Sequence, residues 1–318
     1  MNYLSKIFLI VLLFFGLVNH QFVKAQSSDS TRLPSLGDHV FTSITGVDDP
    51  FIKTKFILNV GIANLFNTDI SLNIPQTDKT ITFQPQLFYA VGGLEFQQAI
   101  NDWSAIHLRT IGTARVGDNA VSIATQGISA ATFFGLGMIF KLTESKDLML
   151  SGAIDLNNTS FTYISLQGKF EDIISDSSSN QQVFNKYQIL TGDIQFKFAY
   201  RFTKTLGLMA NVSGSYGEIY AINSDNEFNW SFGTLLSVDL KNWIHIPFGI
   251  GFGGTIVSND WQFSETNNPV YTTNLNISFI NQNDLSIAWE NYIQIFEQDQ
   301  FNQTYKFHYS RLYLSYYF

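Results

Sequence analysis

Asn291, His308 and Ser310 are the residues of this sequence best suited by type to nucleophilic chemistry. A serine hydroxyl becomes a nucleophile when an imidazole takes its proton, and an asparagine can hold that imidazole in the right orientation. His308 and Ser310 are two apart, so an extended chain carries both on one face. A hairpin centred near residues 299–300 sets Asn291 opposite His308. The second chemistry-bearing set is ionic. Lys55, Arg109, Arg115, Lys141, Lys197, Arg201 and Arg311, with Glu95, Asp155, Asp193, Asp239 and Glu290, all alternate with apolar neighbours. Glu290 and Arg311 should lie near one another across the same hairpin.

Other chemistry is excluded. The chain has no cysteine, so disulfides, thiolate metal sites, a cysteine nucleophile and a lipidated N-terminal cysteine are ruled out. Four of the five histidines lie beyond residue 25, scattered, and no His-Glu-x-x-His occurs, so neither a metal nor another cofactor is expected. Gly249-Ile-Gly-Phe-Gly-Gly254 continues an alternating run and opens no helix, which argues against a phosphate cradle.

The elements that must position these residues are strands. Leu190, Gly192, Ile194, Phe196, Phe198, Tyr200 and Phe202 share one face, opposite Thr191, Asp193, Gln195, Lys197, Ala199 and Arg201. Helical periodicity would not keep such sets apart. Twelve strands are expected, at 53–64, 80–98, 103–117, 131–142, 147–155, 188–203, 205–219, 228–240, 244–257, 270–280, 284–297 and 304–318. Pro85 suggests a bulge or an early loop in the second. Tight links at Asn101-Asp102, Thr143 to Lys146, Lys204, Lys241 to Trp243 and Asn281 to Asn283 alternate with mostly longer, polar ones. That asymmetry is expected of an antiparallel up-and-down transmembrane β-barrel, with short periplasmic turns and longer extracellular loops.

With the apolar rows facing lipid, the ionic set faces the lumen, where charges need water or partners. Arg109, Arg115, Lys197, Arg201 and Arg311, with Glu95, Asp193 and Glu290, are the candidates for setting solute preference. Barrel-stabilising ion pairs are the plainer reading of each. Inward glycines Gly135, Gly137, Gly249, Gly251 and Gly253 either widen one sector or make space for a loop. Residues 119–132 are helix-compatible, and Tyr163, Leu166, Phe170, Ile173 and Ile174 recur at helical spacing. Residues 26–52 form an irregular periplasmic leader or a small plug. The barrel proper occupies 53–318.

Lys6, an apolar run from Ile7 to Val18, and Val23-Lys24-Ala25 read as a signal peptide cleaved near Ala25. The run is too short to span as a helix, which needs about 20 apolar residues. Losing Lys6 and Lys24 from the 18 basic residues leaves 16 against 26 acidic ones, which disfavours nucleic acid as a partner. Charged residues make up 14% of the chain and aromatics 15%, a composition that suits a lipid-facing band with aromatic girdles.

The final strand, Tyr305 to Phe318, alternates and stops on phenylalanine. With the leader and the loop asymmetry, it resembles single-chain outer-membrane β-barrels of Gram-negative bacteria. The asparagine- and tyrosine-rich style looks like the Bacteroidota. The resemblance implies the bacterial outer membrane, its lipid, and recognition of the strand ending at Phe318 by the barrel-assembly machinery. Gln26-Ser-Ser-Asp-Ser-Thr departs from the opening of type IX secretion barrels. The asparagine-proline-alanine hatch of fatty-acid channels is also missing. The expected function is passive passage of small polar or anionic solutes. A non-conducting barrel scaffolding a secretion or surface complex is the alternative. An enzyme is not expected, although serine, histidine and asparagine on an outer wall resemble the arrangement of outer-membrane phospholipase.

Overall fold

The computed structural model describes residues 32–66, 70–73, 80–83, 87–116, 127–164, 184–218, 226–258, 269–280, 283–298 and 303–318. The expected signal peptide at 1–25 lies outside them, as do residues 26–31 and 119–126.

The chain is all-β. Two short strands, β1 (Ser35–Leu36) and β2 (His39–Val40), form a hairpin before the barrel begins. β3 (Lys55–Phe66) leads to a second small hairpin, β4 (Ile70–Asn73) with β5 (Thr80–Phe83). Ten long strands follow. These are β6 (Leu87–Asn101), β7 (Ser104–Val116), β8 (Gly127–Glu144), β9 (Leu148–Ile164), β10 (Phe184–Arg201), β11 (Leu206–Glu218), β12 (Asn226–Asp239), β13 (Phe248–Val257), β14 (Val270–Phe279) and β15 (Leu285–Gln298). β16 (Gln303–Tyr317) ends the chain.

β3 and β6 to β16 close into one antiparallel ring of twelve, each paired with its neighbour in sequence. β16 pairs back onto β3, and Phe318 N donates to Thr54 O at 3.0 Å. Closure leaves no unpaired edge among these strands.

The expected alternation sorts the faces. On β10, Ile194 is 59% exposed while Thr191 is 3% exposed. Across the ring Ile154, Leu156, Phe196 and Leu312 are exposed, whereas Lys197, Ser237, Asp239 and Glu290 are buried. Polar-in, apolar-out is the reverse of a water-soluble domain. Trp103 stacks on Phe140, and Phe248 and Phe279 meet edge to face, near the short-turn ends.

Several expectations need correction. Residues 80–83 pair with 70–73 rather than belonging to the second barrel strand, which starts at Leu87. Pro85 lies between, and a proline cannot donate to a ladder. Residues 244–247 are not strand. A short helix, α1 (Lys241–Ile244), ends on His245 in the left-handed region, and β13 begins after Pro247. Tyr163 belongs to β9 and residues 127–132 to β8, so neither starts a helix. The rest of both proposed helical loops lies outside the described residues.

Residues 32–52 are not a leader outside the barrel; they run within it. Leu36, Phe41, Ile44, Val47 and Phe51 pack on inward Met149, Ala199, Met209 and Leu235. Burying each such side chain contributes roughly 1.5–3 kcal/mol. The segment turns at Ile44–Val47, where Val47 N donates to Ile44 O at 3.2 Å. Gly46 takes φ +82°, the third position of a type II turn, which favours glycine. Of the inward glycines, Gly249, Gly251 and Gly253 make room for this segment, whereas Gly135 and Gly137 lie against Asn157 and Asp155 of the wall. A Cβ on Gly251 would lie 2.6 Å from Thr42 Oγ1, and one on Gly253 2.8 Å from Ile44 Cδ1. Gly251→Leu should therefore expel residues 38–47 while the outer ring stays intact. Limited proteolysis with trypsin should then cut at Lys53 or Arg32 far faster than in the native chain. Unchanged protection would refute the packing argument.

Candidate functional site

Backbone and side chains of the inner segment are fastened to inward-facing residues around the ring. At the turn end, Asn242 donates to Asp38 O at 2.7 Å, and Val40 N donates to Asp239 Oδ2 at 3.2 Å. His39 Nδ1 lies 3.2 Å from Lys204 O. Deeper in, Thr42 N donates to Ser237 Oγ at 3.2 Å. At the tip, Thr45 donates to Glu290 twice, N to Oε1 at 2.6 Å and Oγ1 to Oε2 at 2.7 Å. Asn274 Nδ2 donates to Thr45 O at 2.8 Å. The return limb is held by Ser151 Oγ on Pro50 O and by Gln97 Nε2 on Phe51 O.

The ionic candidates fall into three groups. Lys55, Arg109 and Lys197 meet carboxylates that the segment supplies. Lys55 is 2.8 Å from Asp49 and 2.9 Å from Glu95. Asp48 lies 3.4 Å from Arg109 and 3.3 Å from Lys197. A second group sits elsewhere. Arg201 pairs with Asp147 at the turn end and lies against Gly37, and Lys141 pairs with Glu144 at 2.7 Å three residues on. Asp193 accepts from Asn157 at 2.6 Å, and Arg115 lies 5.8 Å from the Tyr89 ring centre.

The third group is Glu290 with Arg311. They are directly opposite in the β15–β16 register. Glu290, however, is taken by Thr45 and by Tyr313, whose hydroxyl donates at 2.8 Å. Arg311 instead lies beside Tyr292 and Tyr309, 5.1 and 5.4 Å from their ring centres, and donates to the Tyr313 hydroxyl. The two tyrosines stack at 4.3 Å.

The proposed nucleophile arrangement does not assemble. The register sets Asn291 opposite Ser310 and His308 opposite Ile293, two residues off the expected pairing. Ser310 Oγ accepts from Trp289 Nε1 at 3.0 Å on the outer face. Asp48, Asp49 and Thr45 were missed because residues 26–52 have no periodicity to orient them. His107, 2.5 Å from Asp155, could have been found by parity alone, since it shares the face of Arg109.

A cavity of about 130 Å³ remains between the segment and the wall of β15, β16, β3, β6 and β7. Asp48, Glu95 and Arg109 border it, their side chains 23%, 24% and 27% exposed.

No protein-family model matches the sequence, and no curated protein does. Among solved structures, an outer-membrane channel from Pseudomonas putida F1 is similar at 9% identity, over 87% of this chain and 100% of that one, with TM-score 0.46. The NanC porin is similar at 8% identity over 81% and 98%, with TM-score 0.45. A Pseudomonas aeruginosa FadL homologue is similar at 11% identity over 83% and 90%, with TM-score 0.42. The likeness reaches no further than a β-barrel.

The fastening should be pH-dependent. Burial pushes His39 below the ordinary imidazole range, against weaker upward pulls from the Lys204 carbonyl and Asp239; Arg201 pushes the same way as burial. A docked form that resists the proton loses to an undocked form that accepts it, so docking weakens as pH falls below about 6.5. Burial pulls Asp48 upward, but Arg109, Lys197 and Lys55 together hold its carboxyl far below the usual range. Its contribution is present above about pH 4 and fades only in strong acid. The protection factors of the Thr42 and Thr45 amides should fall between pH 6.5 and 5, and His39→Gln should abolish that fall. An unchanged profile in His39→Gln would assign the effect elsewhere.

Proposed function

We propose that this protein is an outer-membrane barrel passing small polar or anionic solutes passively, with residues 32–52 holding it closed. The observation that carries the reading is the inside-out wall around an incompletely filled interior. Charged Asp48, Glu95 and Arg109 stay partly accessible inside a ring whose outer surface is apolar. A purely structural core would leave no such charges open to water. The outer apolar surface is far larger than the few hundred Å² a monomeric soluble protein exposes. A cleaved leader at 1–25, and a last strand with Phe318 on the outer face for the assembly machinery, fit the same address. An even strand count puts both ends on one side, the side of the short turns, which supports a periplasmic location for them.

The density of contacts made by residues 32–52 favours a second reading, a non-conducting barrel that scaffolds a surface or secretion complex. Planar-bilayer recording separates the two. The native chain should show rare, brief openings, and Glu290→Gln or deletion of residues 35–50 should raise open probability several-fold. Silence of both variants at every voltage would discard the channel and leave the scaffold.

The membrane address has its own test. Ile194→Arg places a charge on the outer face and should cost about 2–4 kcal/mol of folding stability in vesicles if it sits near the bilayer midplane. It should cost almost nothing if that face meets water. Reversible urea unfolding in lipid would decide.

A further inference from the structure

We propose that Arg311 binds the carboxylate of a small organic acid within the lumen cavity. The inference rests on the channel reading and names the solute class. Arg311 has no carboxylate within 4.0 Å among the described residues, although Glu290 is its cross-strand partner. Glu290 is occupied by Thr45 and Tyr313, so Arg311 is left with the Tyr313 hydroxyl and two aromatic rings rather than a carboxylate. The residue is 7% exposed, and its Nε has no hydrogen-bond partner. A guanidinium presents donors in a planar fork that matches a carboxylate bidentately. Its Cζ lies 5.1 and 5.4 Å from the ring centres of Tyr292 and Tyr309, which stack on each other beside it.

The cavity supplies the rest of the site. Arg311 lines it together with Ser286 and Ser315, whose hydroxyls can donate to a carboxylate. Ile57, Ile111 and Ala288 line it too, so a short apolar body has surface to rest on. A fork-shaped cation beside hydroxyls and aliphatic groups, in about 130 Å³, suits a short-chain monocarboxylate better than a bare inorganic anion.

Equilibrium dialysis of the purified full-length protein in detergent against radiolabelled butyrate tests this. One saturable site per chain is expected, displaced by unlabelled butyrate and much less by equal chloride or phosphate. Arg311→Gln should weaken binding roughly tenfold or more. Arg311→Lys keeps the charge, and with it the assembly, yet loses the fork, so it should also weaken binding. Heat-dependent gel mobility verifies the folded barrel in each. No saturable binding, native-like binding by Arg311→Lys, or equal displacement by chloride or phosphate would each overturn the proposal. Arg311-dependent binding without any conductance would sink the channel reading alone, and conductance without butyrate binding would sink only this one.

Discussion

A ring of twelve strands encloses more space than its own inward side chains fill, and the inward faces are polar. Twelve tilted strands give a backbone radius of roughly 12 Å. Empty space of that kind either fills with water or is filled by protein. Every buried donor, acceptor and charge must also find a partner. In this chain residues 32–52 meet both demands on the turn side. Their apolar side chains pack on Met149, Ala199, Met209 and Leu235, and their backbone is met by Asp239, Ser237, Glu290, Asn274 and Gln97. The lining of the ring is intelligible only with that segment in place.

The ionic arrangement follows from it. The ring itself brings Lys55, Arg109 and Lys197 inward, and Asp48 and Asp49 of the segment face them. The contacts are not equivalent. Asp49 sits 2.8 Å from Lys55, close to the point where the segment joins β3, whereas Asp48 keeps 3.3–3.4 Å from its two cations. Charge-assisted hydrogen bonds at full strength are about 2.7–2.9 Å long. The return limb is thus gripped tightly beside the strand it enters and loosely in mid-lumen. Glu290 shows the same logic from the other side. It turns from its cross-strand neighbour Arg311 to a backbone amide and two hydroxyls, because Thr45 and Tyr313 bring donors to both oxygens.

Much of this was legible in the sequence. Period-two alternation fixed the faces, so Lys197 and Glu290 were rightly expected inside and Ile194 and Phe196 outside. The nearness of Glu290 and Arg311 followed from the last hairpin, although the expected centre pairs Glu290 with Tyr309 and the observed register pairs it with Arg311. Errors arose where alternation gives no information. Pro85 and Pro247 signal a break in the sequence pattern without revealing on which side pairing resumes. The Asn291–His308 pairing failed because a two-residue error in hairpin register preserves the face while changing the partner. Residues 32–52 were ambiguous for a different reason. Their role depends on inward glycines two hundred residues away, which lie on neighbouring strands and form a surface only once the ring has closed.

Those glycines also decide where the free space lies. Gly207 on β11, Gly233 on β12 and Gly249, Gly251 and Gly253 on β13 let the segment approach one sector of the wall closely. The approaching atoms belong to His39, Phe41, Thr42, Ile44, Gly46 and Val47. Bulk is concentrated elsewhere: β16 carries Arg311, Tyr313 and Tyr317 inward, β6 carries Glu95 and β7 carries Arg109. The segment therefore leans toward the glycine wall, and the remaining cavity opens along β15, β16, β3, β6 and β7. Replacing small residues on the first sector or large ones on the second would shift that balance without altering a single strand pairing. The shape of the remaining cavity is thus set by which inward positions lack side chains, and its charge by which ionic side chains border it.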